Sequence, residues 1–207
     1  MIRVHHLNMS RSLRVLWLLE EAGVAYEVVR HRRNAKTMRA PLALRDLHPL
    51  GKLPIVEADG KVLAETGLII EYLLAAYAPH LAPAPTDTDA HWRYRYWMHY
   101  AEGSLMPQLL LKLIAGKMGI LALPIRGMVN EQVKLHLDYV EQEAGRSQWL
   151  AGPEFSAADI MMSFPLEVST MRAGVTATSH PNIWRVLQAM QARPAYQRAV
   201  AQAADKG

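Results

Sequence analysis

Glu65 and Thr66 stand where a short hairpin gives way to a helix, and that position carries chemistry. The first-turn amides of a helix have no intrahelical acceptor, so they hold a carboxylate well. The pair lies within Gly51 to Leu73, GKLPIVEADGKVLAETGLIIEYL, where Pro54 begins a strand (Ile55-Val56-Glu57), Asp59-Gly60 is a two-residue turn and Lys61-Val62-Leu63 returns. In the helix that follows, Leu68, Ile69, Tyr72, Leu73 and Ala76 recur at helical spacing, so one face packs inward while its start stays open. A proline, a hairpin and an anion-holding helix start in one unit read as an edge that binds a peptide.

Other chemistry-bearing residues weigh less. His5 and His6 are adjacent on a strand and point to opposite faces, and no Asp, Glu or Cys cluster is spaced to complete a metal site, so no metal is expected. The stretch His91 to Trp97, HWRYRYW, mixes bases and aromatics as single-strand nucleic-acid surfaces do. On a helix, however, these side chains point all round, and aromatic core contacts on one side with a domain or subunit contact on the other are the better account, so no nucleic acid is expected. Ser156-Ala157-Ala158-Asp159 is a capping box with Phe155 and Ile160 placed as a hydrophobic staple, a stabilising device and not a reactive one. The chain contains no cysteine, which excludes disulfides, thiolate metal sites and a protein thiol nucleophile.

These groups must be carried by elements that 207 residues can supply, either one large or two small domains. A net charge of +4 is mild, with Lys and Arg scattered, and slightly favours small anionic ligands. The N-terminus runs into a strand without the pattern of a signal peptide, so the cytoplasm is the expected compartment. Charges interrupt apolar runs such as Leu109-Leu110-Leu111-Lys112-Leu113, and no membrane-spanning helix is expected.

Ile2 to His6 reads as a strand, Arg11 to Ala22 as a helix closed by Gly23, and Tyr26 to Arg30 as a second, parallel strand. Met38 to Leu50 is less clear: a short helix, then His48-Pro49-Leu50-Gly51 as a mobile connection. With the hairpin and its helix, residues 1 to 78 have the order βαβαββα. Residues 79 to 89, PHLAPAPTDTD, hold three prolines and read as a linker. Residues 90 to 207 read as an all-helical domain: His91 to Lys117 as one long helix, Leu123 to Ala144 as another, then Ser156 to Met171, Pro181 to Gln191 and Pro194 to Ala203.

A strand-start proline, a hairpin, then a helix opening on Glu-Thr, in a βαβαββα unit followed by a helical domain with its capping box after Ala151-Gly152, resembles the cytosolic glutathione S-transferases of a bacterial-like serine type. The resemblance covers about the whole chain and implies a thioredoxin-like fold followed by an all-helical bundle. It implies conjugation of the glutathione thiolate, as co-substrate, to an apolar electrophile, a detoxification reaction, by a cytoplasmic homodimer. Glutathione-dependent peroxidase or disulfide reductase activity, or a non-catalytic binding protein, is the alternative on the same fold. In the family a cis bond precedes the proline, so Leu53 and Pro54, with Lys52, would hold the cysteinyl part of glutathione, and Glu65 and Thr66 its γ-glutamyl end. The sulfur would sit at the first strand-helix turn, where Ser10 is the first candidate donor to the thiolate, with Ser12 and Asn8 as alternatives and a simple helix cap as Ser10's other role. Met9, Tyr100 and Met106 would line the acceptor pocket, and Glu102 would reach glutathione in a partner subunit.

Overall fold

A computed structural model describes residues 1–34, 36, 37 and 39–204. Met38, the expected start of the unclear stretch, lies outside the described residues. The chain divides into two compact units, Met1–Leu81 together with the segment that begins at Ala192, and Ala82–Gln191.

The first unit runs β1 (Ile2–Leu7), α1 (Ser12–Ala22), β2 (Tyr26–His31), α2 (Leu44–Leu47), β3 (Ile55–Ala58), β4 (Lys61–Ala64) and α3 (Thr66–Tyr77). Its sheet has the order β2-β1-β3-β4, with β1 parallel to β2 and antiparallel to β3, and β3 antiparallel to β4. Helix α1 ends because Gly23 adopts φ 65°, a left-handed conformation glycine reaches without steric cost. The hairpin turns on Asp59 and Gly60, at φ 50° and 73°, the double positive φ of a tight primed turn. Val15, Leu16, Leu18 and Leu19 of α1 are fully buried with Val4, Ile55, Ile69 and Ile70. Each such side chain contributes about 1.5–3 kcal/mol of burial.

Strand alternation separates two polar sets on β1. His6 lies on the α1 side, hydrogen-bonded to Ser12. Arg3 and His5 project from the other face, where Arg3 pairs with Glu27 and Glu57, and His5 bonds Glu57 at 2.8 Å and His31 at 2.9 Å. Burial and the neighbouring His5 lower the pKa of His31.

The last helix, α9 (Pro194–Ala203), belongs to this unit and not to a C-terminal domain running from 90 to 207. It packs on α1, with Tyr196 edge-on to Trp17. Arg193 grips Glu21 through two bonds of 2.6 and 2.9 Å, and Arg198 meets Glu20 at 2.7 Å. Sequence periodicity shows that α9 has an apolar face, but not what that face covers.

The second unit contains α4 (Thr88–Tyr100), α5 (Met106–Met118), α6 (Leu123–Ala144), α7 (Ala157–Arg172) and α8 (Pro181–Gln191). The expected single helix over 91–117 starts earlier, where the Asp87 side chain accepts from the Ala90 amide, and it contains a π-helical turn at Ala101–Leu105. Pro107 explains the turn: it has no N–H to give, and the Met106 amide bonds the Ala101 carbonyl five residues back. Trp97, Tyr94 and Tyr100 are buried, with Tyr139 stacked on Trp97, while Trp92 and Tyr96 are exposed, so one side of the aromatic stretch is core and the other faces outward. Glu143, nearly inaccessible, is held by Arg93 at 3.0 Å and Arg146 at 2.7 Å.

The helical run Thr88–Ala144 holds an 18-residue window of mean hydropathy 1.6, long and apolar enough by length and composition to cross a membrane. Lys112 and Lys117 interrupt its apolar side chains, and Leu110, Ile114, Ile120 and Leu121 are exposed along it.

Candidate active site

Strand register gathers the first unit's candidate residues. β1 and β3 are antiparallel with His5 opposite Ile55, so the turn leaving β1 and the Leu53-Pro54 entry to β3 lie at one end of the sheet. β3 and β4 pair Ile55 with Ala64, which brings Glu65 and Thr66 to that same end. Asn8, Met9 and Ser10, then Lys52, Leu53 and Pro54, then Glu65 and Thr66 thus follow one another across three adjacent strand ends.

The Leu53-Pro54 bond is cis, and Pro54 is buried while Lys52 is exposed. Gly51 precedes them at φ 56°, where an added Cβ would meet Arg45 Cγ at 3.0 Å, so this entry accepts only glycine without strain. Glu65 adopts φ 70° and ψ 118°, an uncommon conformation for a residue with a side chain, of the kind that costs about 1–3 kcal/mol and collects at ligand sites. Its carbonyl accepts from the Ile69 amide at 2.9 Å, so the helix ladder begins there and the amides of Thr66, Gly67 and Leu68 precede it. Thr66 is buried and Glu65 exposed.

At the other end of the row, Arg33 donates to the carbonyls of Asn8 and Met9 at 3.4 Å, tying down a turn in which Met9 has φ 47°. Asn8 and Met9 are exposed and Ser10 is half-buried. Arg11, not Ser10, occupies the cap position of α1 and provides no side-chain cap bond. The Ser10 hydroxyl instead accepts from the Ser12 amide at 3.3 Å and lies 2.7 Å from the Ser12 hydroxyl. Ser12 is buried and continues inward to His6 Nδ1 at 2.9 Å. Sequence reasoning kept Ser10, Ser12 and Asn8 as alternatives and weighed His6 only as a metal ligand, a role it set aside. The missed signal was local: His6 is the inward residue of β1 nearest a turn short enough to bring Ser12 back over it.

Tyr100, Glu102 and Met106 lie in the second unit. Tyr100 and Met106 are buried there, and the Tyr100 hydroxyl lies 2.7 Å from His136 Nδ1. Burial, then the neighbouring Tyr96 and Tyr139, raises the Tyr100 pKa, so the phenol keeps its proton. Glu102 sits half-buried in the π-helical turn.

Comparison with known proteins matches two family models, the glutathione S-transferase N-terminal domain over residues 8–76 and the glutathione S-transferase C-terminal domain over residues 128–194. Glutathione S-transferase 3 of Schizosaccharomyces pombe is 35% identical, over 94% of this chain and 85% of its own length. A crystal structure of a glutathione S-transferase from Actinobacillus pleuropneumoniae superposes with a TM-score of 0.89 at 36% identity, covering 98% of this chain and 93% of that one. A glutathione transferase homologue from Sulfitobacter, solved with bound glutathione, shares the fold with a TM-score of 0.81 at 22% identity, covering 98% of each chain.

Proposed function

Because the chain belongs to the glutathione S-transferase family, we propose that it binds glutathione across the three strand ends and joins the glutathione sulfur to an apolar electrophile. The observation that carries this reading is the register of β1, β3 and β4. Neighbouring strands lie about 4.8 Å apart, so the row from Ser10 to Thr66 spans roughly 10 Å. An extended tripeptide, at about 3.3–3.6 Å per residue, has that reach. The Sulfitobacter protein of the same fold carries glutathione.

In this reading the γ-glutamyl carboxylate meets the first-turn amides and hydroxyl of Thr66, and its ammonium pairs with Glu65. The Leu53 backbone takes the cysteinyl unit, Lys52 adds a cation, and the sulfur lies at Ser10 with Asn8 beside it. The thiol gives its proton to solvent. The thiolate pair then forms the carbon–sulfur bond as the leaving group departs with its own bonding pair. Positioning and thiolate stabilisation supply the rate, and no protein nucleophile is needed. The same reading makes the protein a cytoplasmic homodimer in which Glu102 faces the partner subunit's glutathione.

Two substitutions test the binding half. Thr66→Ala and Glu65→Ala should each weaken glutathione about tenfold or more in a calorimetric titration, since a hydrogen bond to a charged group contributes about 1.5–3 kcal/mol. Glu65→Gly should bind as poorly as Glu65→Ala while melting higher, because glycine relieves the positive φ at that position. Wild-type affinity in both alanine variants would remove the γ-glutamyl site from this helix.

A further inference from the structure

We propose that His6 is a positioning residue that sets the direction of a hydrogen-bond chain, His6 Nδ1 to Ser12 Oγ to Ser10 Oγ, and so aims the Ser10 proton at the glutathione sulfur. The proposal rests on the reading of Ser10 as the donor to that sulfur.

The links are 2.9 Å from His6 Nδ1 to Ser12 Oγ and 2.7 Å from Ser12 Oγ to Ser10 Oγ. A hydroxyl carries one proton and two acceptor positions, so the chain has two consistent directions. In the first, an imidazole with its proton on Nδ1 donates to Ser12, and Ser12 donates to Ser10. Ser10 Oγ then accepts both the Ser12 O–H and, at 3.3 Å, the Ser12 amide. Both its acceptor positions are filled, and its own proton is left to point outward. In the second, Nδ1 accepts from Ser12, Ser12 accepts from Ser10, and Ser10 presents a lone pair to an anionic sulfur. The first direction stabilises a thiolate and the second repels it.

Only the imidazole end selects between them. Ser12 has a third acceptor in reach, the Leu7 carbonyl at 3.4 Å, which is longer than either chain link. His6 is 4% exposed and Ser12 fully buried, so bulk water is a poor substitute for the Nδ1 donor. Aligned hydrogen bonds also polarise one another, which strengthens the donor at the outer end. His6 and Asn8 line, with Arg30, His31, Arg32 and Arg33, a cavity of about 260 Å³ at this end of the sheet.

The test is the thiol pKa of bound glutathione, read from thiolate absorbance across pH in wild type, His6→Phe, His6→Asn, His6→Gln and Ser12→Ala. An asparagine amide stands near the place of Nδ1 and can donate to Ser12, whereas a glutamine amide reaches toward the place of Nε2. His6→Phe, His6→Gln and Ser12→Ala should raise the thiol pKa by about half to one unit, lowering kcat at pH 7 about 1.5- to eightfold with KM for glutathione within about twofold. His6→Asn should stay close to wild type. Combining His6→Phe with Ser12→Ala should add almost nothing to either alone, as expected for one chain.

A wild-type thiol pKa in His6→Gln or a folded His6→Phe, a shift in His6→Asn as large as in His6→Gln, or additive effects in the double variant would each overturn the proposal. If the wild-type pKa is lowered and Ser10→Ala restores it while His6 variants do not, the chain fails and Ser10 stands. If wild type neither binds glutathione nor lowers its pKa, the functional reading fails as well.

Discussion

Ser10→Ala should conjugate a chlorinated aromatic electrophile about eight- to twenty-five-fold more slowly than wild type at pH 7, with glutathione affinity changed little. An alkyl thiol of pKa about 8.5 is roughly 3% thiolate at that pH. A hydrogen bond to a charged acceptor contributes about 1.5–3 kcal/mol, and one pKa unit is about 1.36 kcal/mol, so a single donor lowers the pKa by about one to two units. The thiolate fraction then rises to roughly a quarter to three quarters. The rate deficit should therefore shrink as pH rises past about 9, where free glutathione ionises unaided. A deficit that is flat in pH would mean that Ser10 positions the ligand without stabilising the anion. Full activity in Ser10→Ala with loss in Ser12→Ala would move the donor role inward by one link.

The largest stability effect is expected at Asp159, far from this chemistry in sequence. Its Oδ1 accepts the Leu150 amide at 3.0 Å, and its Oδ2 accepts the Ser156 amide at 3.0 Å and the Ser156 hydroxyl at 3.2 Å. Asp159→Ala orphans these donors in a site where the carboxyl is fully buried. A buried donor without a partner costs about 1–3 kcal/mol, and a lost cap about 0.5–2, so a loss of about 3 kcal/mol is expected out of a total stability of about 5–15. In a thermal melt this corresponds to roughly 6–12 °C. Asp159→Asn keeps an acceptor for Leu150 and should lose less.

The same residue has a pH signature. Burial raises its pKa to about 6, against hydrogen bonds from Leu150 and Ser156 that favour the anion. The unfolded value is about 3.9, so between roughly pH 4 and 6 the folded chain binds more protons and gains stability as pH falls. The contribution is complete below the unfolded pKa and is lost as pH rises through the folded one. Asparagine does not titrate, so the melting-temperature gap between wild type and Asp159→Asn should widen as pH falls from about 7 to 4.5. A constant gap would mean that the cap's hydrogen bonds hold the carboxyl at its ordinary pKa.

What could be read from the sequence was local. Gly23, Asp59-Gly60 and Ser156 to Asp159 act through their own neighbours, and they end, turn and start their elements where expected. The bounds of α8 and α9 coincide with the sequence reading because Pro181 and Pro194 mark their starts. The partners of α9 lie about 170 residues away, at Glu20 and Glu21, and no periodicity encodes that distance. The π-helical turn depends on one proline inside an otherwise regular apolar pattern. In the site, residues carrying a family motif were legible, while the His6 link requires knowing that Ser12 folds back over β1.

The return of α9 to the first unit delays that unit's completion until the end of synthesis. When α3 leaves the ribosome, every strand of the first unit has been synthesised, yet the surface of α1 that takes Tyr196, Arg193 and Arg198 has nothing to cover it. More than 100 residues of the other unit, Ala82–Gln191, must be translated before that cover exists. At about 5–20 residues per second this interval lasts roughly 5–20 s, during which part of the α1 surface is open to chaperones and to aggregation. A nascent chain arrested before residue 192 should therefore be more sensitive to protease at α1 than the finished protein, and a fragment cut at the Pro-rich linker will need the α9 segment supplied in trans to regain its stability.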